Sequence, residues 1–218
     1  NEKILKALEE AGYSEPTQVQ IKTIPSIIDG RDVKASAQTG TGKTAAFLLP
    51  CLHKLAGSLR KKRRGPSVLI LSPTRELALQ IHVQAEKYSR YLKQGQSVCL
   101  VGGVPYFKQM NQLSRPHDII VATPGRLIDF IEQNKINLSD IDTLILDEAD
   151  RMLDMGFSEA VENIIQSTPP SRQMLLFSAT YQSSVLRLTK KYMKNPVEID
   201  VHSAQAKHEN IEQKLHYV

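Results

Sequence analysis

Ala37-Gln38-Thr39-Gly40-Thr41-Gly42-Lys43-Thr44 decides how the rest of the chain is read. It follows a β-rich apolar run at residues 32–37 and precedes a helical run at residues 45–49. Glycines let a backbone curl around a phosphate with its N–H groups pointing inward, and a following helix adds the positive end of its dipole. In such a loop Lys43 reaches the β- and γ-phosphates of a nucleotide, and the Thr44 hydroxyl ligates Mg²⁺. The strict pattern G-x-x-x-x-G-K-[ST] is missed by one residue, because Ala37 stands at the first glycine position. The alternative is a Gly/Thr-rich turn carrying an exposed lysine; the flanking strand and helix favour the phosphate cradle.

Working outward, short β-rich runs are expected at residues 32–37, 67–72, 97–101, 118–123, 143–147, 173–178 and 197–201. Several (VLIL, IIVA, LILD, LLF) are apolar without alternation, as in strands of a parallel sheet buried on both faces. Helical patterns lie between them. The clearest covers residues 75–92, where Leu77, Ile81, Ala85, Tyr88 and Leu92 recur every four or three positions. This alternation predicts an α/β fold of three layers, a mainly parallel central sheet flanked by helices, with right-handed crossovers. Lys34 resists the pattern, since it occupies a strand position where an aliphatic residue is usual. Either its stem snorkels out at the sheet margin or the strand begins later.

Length and composition narrow the class. At 218 residues and 24.4 kDa the chain suits one domain with a sizeable core. Hydrophobic residues make up 41% and charged residues 23%, which argues against general disorder. Cys51 and Cys99 stand far apart, excluding a disulfide scaffold and a zinc ribbon and fitting a reducing compartment. The histidines show no metal-ligand spacing. The opening NEKILKALEEAGY carries charge in every turn, unlike a signal peptide or a membrane span. Net charge is +5, and Arg60, Lys61, Lys62, Arg63 and Arg64 supply that whole excess. The basic balance thus reads as one solvated loop, with RNA binding or a nuclear-localisation run as the alternatives.

A second chemical motif is Asp147-Glu148-Ala149-Asp150, directly after Leu144-Ile145-Leu146. Carboxylates at the carboxyl end of a buried parallel strand face the crevice where α/β sheets bind ligands. Asp147 is placed to hold Mg²⁺, partly through water, and Glu148 to orient and deprotonate an attacking water. An acidic helix start is the competing explanation. Together with the phosphate loop and Lys43, the motif points to nucleotide hydrolysis, with Glu148, Asp147 and Lys43 as the catalytic set.

With both motifs in place, the chain resembles the first RecA-like domain of a DEAD-box ATP-dependent RNA helicase, a P-loop fold. Family motifs run through it almost end to end. Gly12-Tyr13-Ser14-Glu15-Pro16-Thr17-Gln18-Val19-Gln20 resembles the adenine-reading Q motif. The resemblance implies that Tyr13, Pro16, Thr17 and Gln20 join residues 37–44 in binding ATP, with Gln20 on the adenine edge and Tyr13 stacked on the ring. An amide can pair bidentately with the N6/N7 edge of adenine. Pro73-Thr74-Arg75-Glu76-Leu77 resembles motif Ia, Thr123-Pro124-Gly125-Arg126 motif Ib, and Gly102-Gly103 the GG motif. These imply sequence-independent RNA-backbone contacts from Pro73, Thr74, Arg75, Gly102, Gly103, Thr123, Pro124, Gly125 and Arg126, through backbone N–H groups, hydroxyls and guanidinium groups. Taken singly, each is also an ordinary helix start or turn. Ser178-Ala179-Thr180 resembles motif III, implying that Ser178 and Thr180 hydrogen-bond Asp150 and couple the ATP and RNA sides.

The resemblance further implies ATP and Mg²⁺ as cofactors, RNA as partner, and a second RecA-like domain whose arginine completes the ATP site. No motif of that second domain is present, so the chain is expected to be a fragment. Residues 1–205 would form the ATP-binding domain and 206–218 the start of a linker. ASAQTGTGKT, DEADRMLDMGF and IEQKLHYV look most like the bacterial RhlE-type subgroup, for which cytoplasm is the natural location and no membrane contact is expected. Two alternatives stay open: a DNA substrate, since 2′-OH contacts leave no trace in a sequence, and a nucleotide-gated RNA clamp in which hydrolysis only resets binding.

Overall fold

The computed structural model describes residues 1–38, 40–57 and 65–201. Thr39, the basic run at 60–64 and the expected boundary and linker at 205–218 lie outside the described residues. Strands β1 (Val33–Ser36), β2 (Val68–Leu71), β3 (Ser97–Leu100), β4 (Ile119–Ala122), β5 (Thr143–Leu146), β6 (Gln173–Ser178) and β7 (Val197–Asp200) form one sheet. Their order is β3-β4-β2-β5-β6-β1-β7, with each neighbouring pair parallel. Every run expected as a strand is one, trimmed by no more than a residue at either end, and the sheet is wholly parallel.

Side-chain alternation along the strands builds the three layers. Val68 and Ile70 of β2 join one core cluster, and Leu69 and Leu71 the other. On the first face pack α1 (Glu2–Glu10), α2 (Gln18–Ile28), α3 (Lys43–Gly57) and α4 (Arg75–Ser89), through residues such as Ile4, Val19, Phe47 and Ile81. The second face is covered by α5 (Tyr106–Leu113), α6 (Pro124–Glu132), α7 (Ala149–Asp154), α8 (Ser158–Gln166) and α9 (Ser183–Tyr192). Because both faces are covered, central strands have no polar side, which is why their sequences lack alternation. Cys51 and Cys99 are buried free thiols, each pushed up to about 12 by that burial. Among the described residues no helix is long and apolar enough to cross a membrane.

Two local details differ from expectation. Helix α4 starts where the pattern placed it, with the Thr74 hydroxyl accepting from Leu77 N at 3.3 Å, but ends at Ser89. Leu92 then donates its N–H to Ser89 O at 2.7 Å, a turn that still returns its side chain to the core. Lys34 does lie within β1, and β1 is not an edge strand. Its ammonium crosses to the neighbouring edge strand, 3.0 Å from Glu198, its register partner on β7, and sits 4.6 Å from the Tyr181 ring centroid.

Sheet order also sorts the motifs. The carboxyl ends of β1, β5 and β6 are neighbours and carry the phosphate loop, Asp147-Glu148-Ala149-Asp150 and Ser178-Ala179-Thr180. Those of β3, β4 and β2 are neighbours and carry Gly102-Gly103, Thr123-Pro124-Gly125-Arg126 and Pro73-Thr74-Arg75. The two halves meet at the β2–β5 ladder, which Asp147 N extends by donating to Leu71 O at 3.0 Å.

Candidate active site

From β1 the chain enters the phosphate loop through Ala37, whose N–H donates to Ser178 O at 3.2 Å. Ala37 is buried and does not need a positive φ, so alanine meets the backbone requirement where the strict motif has glycine. Gly40 and Gly42 do need one, at +85° and +90°. The Thr41 hydroxyl donates to Gln38 O at 2.8 Å, and α3 then begins with Lys43 and Thr44. Lys43 is buried, its Nζ 3.6 Å from Asp147 Oδ1.

The stretch expected to read adenine lies against this loop. Gln20 is 2% exposed; its Oε1 accepts from Thr17 N at 3.0 Å, and its Nε2 donates to Gly42 O at 3.2 Å. Its amide therefore braces the phosphate loop, leaving one N–H and one lone pair for other partners. Thr17 and Pro16 are exposed just before α2. Tyr13 is 39% exposed and has an aromatic neighbour. Its ring meets Tyr88 edge-on at 5.8 Å, and the two hydroxyls are 2.5 Å apart. A local polar motif did not reveal that Tyr13 has a buried aromatic partner on α4.

Asp147 directly follows β5 with 2% exposure, its Oδ1 accepting from Glu148 N at 3.1 Å. Burial raises its carboxyl to about 6, even though Lys43 pulls the other way. Glu148 is left-handed at φ 51° and ψ 52°, which costs a non-glycine residue about 1–2 kcal/mol. Strain of this kind gathers at functional turns. Its carboxylate pairs with exposed Arg151 at 3.2 Å, a partner signalled in the sequence only by i,i+3 spacing. Asp150 Oδ2 accepts from the Thr180 hydroxyl at 2.8 Å and from Thr180 N at 2.9 Å. Ser178 Oγ accepts from Asp150 N at 3.2 Å and donates to Thr180 O at 2.7 Å. Burial acts to raise the Asp150 carboxyl, but the Thr180 hydrogen bonds outweigh it, and the group titrates below the ordinary range.

A hard divalent cation fits Thr44 and Asp147: a hydroxyl and a carboxylate are suitable oxygen donors, and Asp147 stays penalised by burial despite the lysine beside it. The raised carboxyl has a pH consequence. The folded value, about 6, lies above the unfolded 3.8, so the folded chain holds the extra proton between them. The favourable contribution is complete below about pH 4 and lost as pH rises through about 6. The full span is on the order of 3 kcal/mol. Melting curves of wild type and Asp147→Asn should differ in slope across this window and run parallel above it; an unchanged slope in the variant would remove the assignment.

At the other half of the edge, Gly103 has φ +73°, and a Cβ there would meet the Arg75 guanidinium, whose flexible tip would have to shift. Arg126 is engaged with backbone: its Nε donates to Val101 O at 3.3 Å and an NH2 to Val104 O at 2.6 Å. Gln109, fully buried on α5, completes this clamp on the 101–104 loop. Its Oε1 accepts from Val101 N at 2.9 Å, and its Nε2 donates to Val104 O at 3.0 Å and Val101 O at 3.2 Å. Gln109 was not anticipated; the available sign was a polar residue beside Tyr106, Met110 and Leu113 on an otherwise apolar face. Pro73, Thr123 and Pro124 are buried at their strand ends, whereas Arg75, Gly103 and Gly125 are exposed.

A family model described as DEAD/DEAH box helicase matches residues 17–188. An ATP-dependent RNA helicase DeaD of Buchnera aphidicola is 44% identical over 200 residues, covering 92% of this chain and 33% of that protein. The Escherichia coli K12 protein of the same name is 42% identical over 210 residues, covering 96% and 33%. The chain thus spans about a third of the curated relatives it matches. Among solved structures, a DEAD box protein from Methanococcus jannaschii superposes with TM-score 0.85 at 36% identity, covering 92% of this chain and 53% of that one. A hypothetical ATP-dependent RNA helicase from Sulfolobus tokodaii gives 0.83 at 38%, covering 92% and 57%. The two curated relatives carry the name DeaD, in place of the RhlE-type name expected from the motif wording.

Proposed function

The chain belongs to the DEAD/DEAH box helicase family, and from that premise we propose that it is the ATP-binding half of an RNA-dependent ATPase that separates short RNA duplexes or remodels RNA–protein complexes. The observation that carries this is the convergence of Lys43 with Asp147, 3.6 Å apart, beside the Asp150–Thr180 hydrogen bonds. Glycines 40 and 42 free the loop backbone to wrap the triphosphate, and Lys43 meets its β- and γ-oxygens. Mg²⁺, held by Thr44 and through Asp147, would neutralise charge developing on the phosphoryl oxygens. Glu148 orients the attacking water and takes its proton. Asp150, fixed by Thr180 and Ser178, relates that event to the rest of the sheet edge.

RNA backbone would lie along the β3-β4-β2 half of that edge. There Arg75 is the exposed guanidinium, while Arg126 and Gln109 hold the 101–104 loop in shape. A second RecA-like domain supplies the remaining arginine. The RhlE-type affiliation is carried by the motif wording alone, and a cytoplasmic location by the two cysteines and the family.

The test is ATP turnover with and without single-stranded RNA, with matched DNA as competitor. The whole protein should be stimulated by RNA and not by DNA. The 218-residue chain alone should turn over slower by about 10³ or more, the worth of a missing arginine in phosphoryl transfer. Arg75→Ala should weaken RNA stimulation directly, and Arg126→Ala by loosening the clamped loop. Robust RNA-stimulated turnover by the isolated chain would sink the division of labour; preference for DNA would replace the substrate.

A further inference from the structure

At the end of the sheet opposite the phosphate loop lies a polar cleft of about 410 Å³, within the size range of small-ligand pockets, about 300–1,000 Å³. Three turns build it: the ones before β1, before β6 and before β7. They contribute Arg31 and Asp32, then Arg172, then Lys194; Lys54 and Asp142 close the side. Its acids are already engaged. Asp32 accepts from Met174 N at 2.8 Å and Lys194 N at 2.7 Å, and Asp142 accepts from the Thr143 hydroxyl at 2.9 Å with Lys54 at 3.5 Å.

Arg172 is the anomaly. It is 8% exposed, and one of its five N–H groups donates to Pro169 O at 3.0 Å. Its Nε is buried with no hydrogen-bond partner, and it forms no ion pair among the described residues. Burial works against its charge and lowers its pKa. Asp32, in the same cleft, offsets part of this cost, but the buried Nε–H is left unsatisfied, and an unpaired buried polar group is costly.

We propose that this cleft binds the phosphate group of a small phosphorylated compound, with Arg172 as the buried anchor and Arg31 and Lys194 as exposed partners. A guanidinium matches phosphate oxygens bidentately, and flanking cations suit a group carrying more than one negative charge. The site is separate from the phosphate loop: Asp32 precedes β1 and Arg172 precedes β6, while the loop and Ser178 stand at the far ends of those strands. The distance is roughly 15–20 Å, from about 3.3 Å per strand residue.

The experiment is calorimetric titration of pyrophosphate, and separately of inorganic phosphate, into the whole protein with its nucleotide site saturated by a non-hydrolysable ATP analogue. One saturable binding event is expected. It should weaken at least tenfold in Arg31→Ala/Lys194→Ala, two exposed positions where the loss of the Lys194 Nζ bond to Pro170 O should lower the melting temperature only slightly, and more in Arg172→Gln. Equal affinity in the double variant, or heat that never saturates, overturns the proposal. So does displacement of bound pyrophosphate by a short single-stranded RNA, which would make the cleft part of a nucleic-acid surface.

Discussion

Glu148→Gln in the whole protein should leave ATP affinity within about threefold of wild type and lower turnover by about 10²–10⁴, the usual contribution of a positioned general base. The amide keeps the size of the carboxylate and the left-handed turn that presents it, but it cannot accept a proton. Its lost pairing with Arg151, itself mostly exposed, should cost no more than about 1 kcal/mol. Lys43→Ala should do the opposite: it removes the buried ammonium, leaves Asp147 without its partner and weakens nucleotide binding by about a hundredfold, the scale of a lost charge-assisted contact. Equilibrium binding and steady-state turnover measured on both variants separate the roles, and equal loss of binding in both would undo them. Duplex separation by Glu148→Gln with ATP bound would show that hydrolysis serves release, the clamp alternative.

Gly42→Ala should weaken ATP binding far more than Gly40→Ala, whose effect should stay within about thirtyfold. Both residues are left-handed, so each alanine stores about 1–2 kcal/mol of backbone strain. At Gly40 the added carbon meets nothing within 4 Å, and strain is the whole penalty. At Gly42 it would stand 2.6 Å from Gln20 Nε2 and 3.0 Å from Thr17 Oγ1. Gln20 can retreat only by giving up its bonds to Gly42 O and Thr17 N, so the alanine removes the brace on the loop. Melting temperature and ATP affinity measured together distinguish this from unfolding. Comparable affinity in the two variants would show that the brace is dispensable.

The strands were legible because short, β-branched apolar runs alternating with helical patterns read as strands buried on both faces. VLIL, IIVA and TLIL needed no partner to be recognised. Lys43, Thr44 and Asp147 were legible because local spacing beside a strand end already sets where they sit. What escaped depends on residues distant in sequence. Tyr13 meets Tyr88, Gln20 meets Gly42, Arg126 and Gln109 converge on Val101 and Val104, and Lys34 finds Glu198 across a ladder. A guanidinium at a strand end invites a phosphate reading until the carbonyls it already serves are known. The strand order that divides the motifs into two groups is likewise a property of pairing.

The ladder between β2 and β5 carries a mechanical consequence. Its strands are fully buried and in unbroken register, and Asp147 is bonded by its own backbone to the segment that leads into Pro73 and Arg75. Nothing along this seam can serve as a hinge. The nucleotide end and the Arg75 end are fixed points on one stiff plate, so neither can shift relative to the other by bending the sheet. On the function proposed above, a strand lying along that edge would be displaced by movement of the plate as a whole, with its loops moving as one.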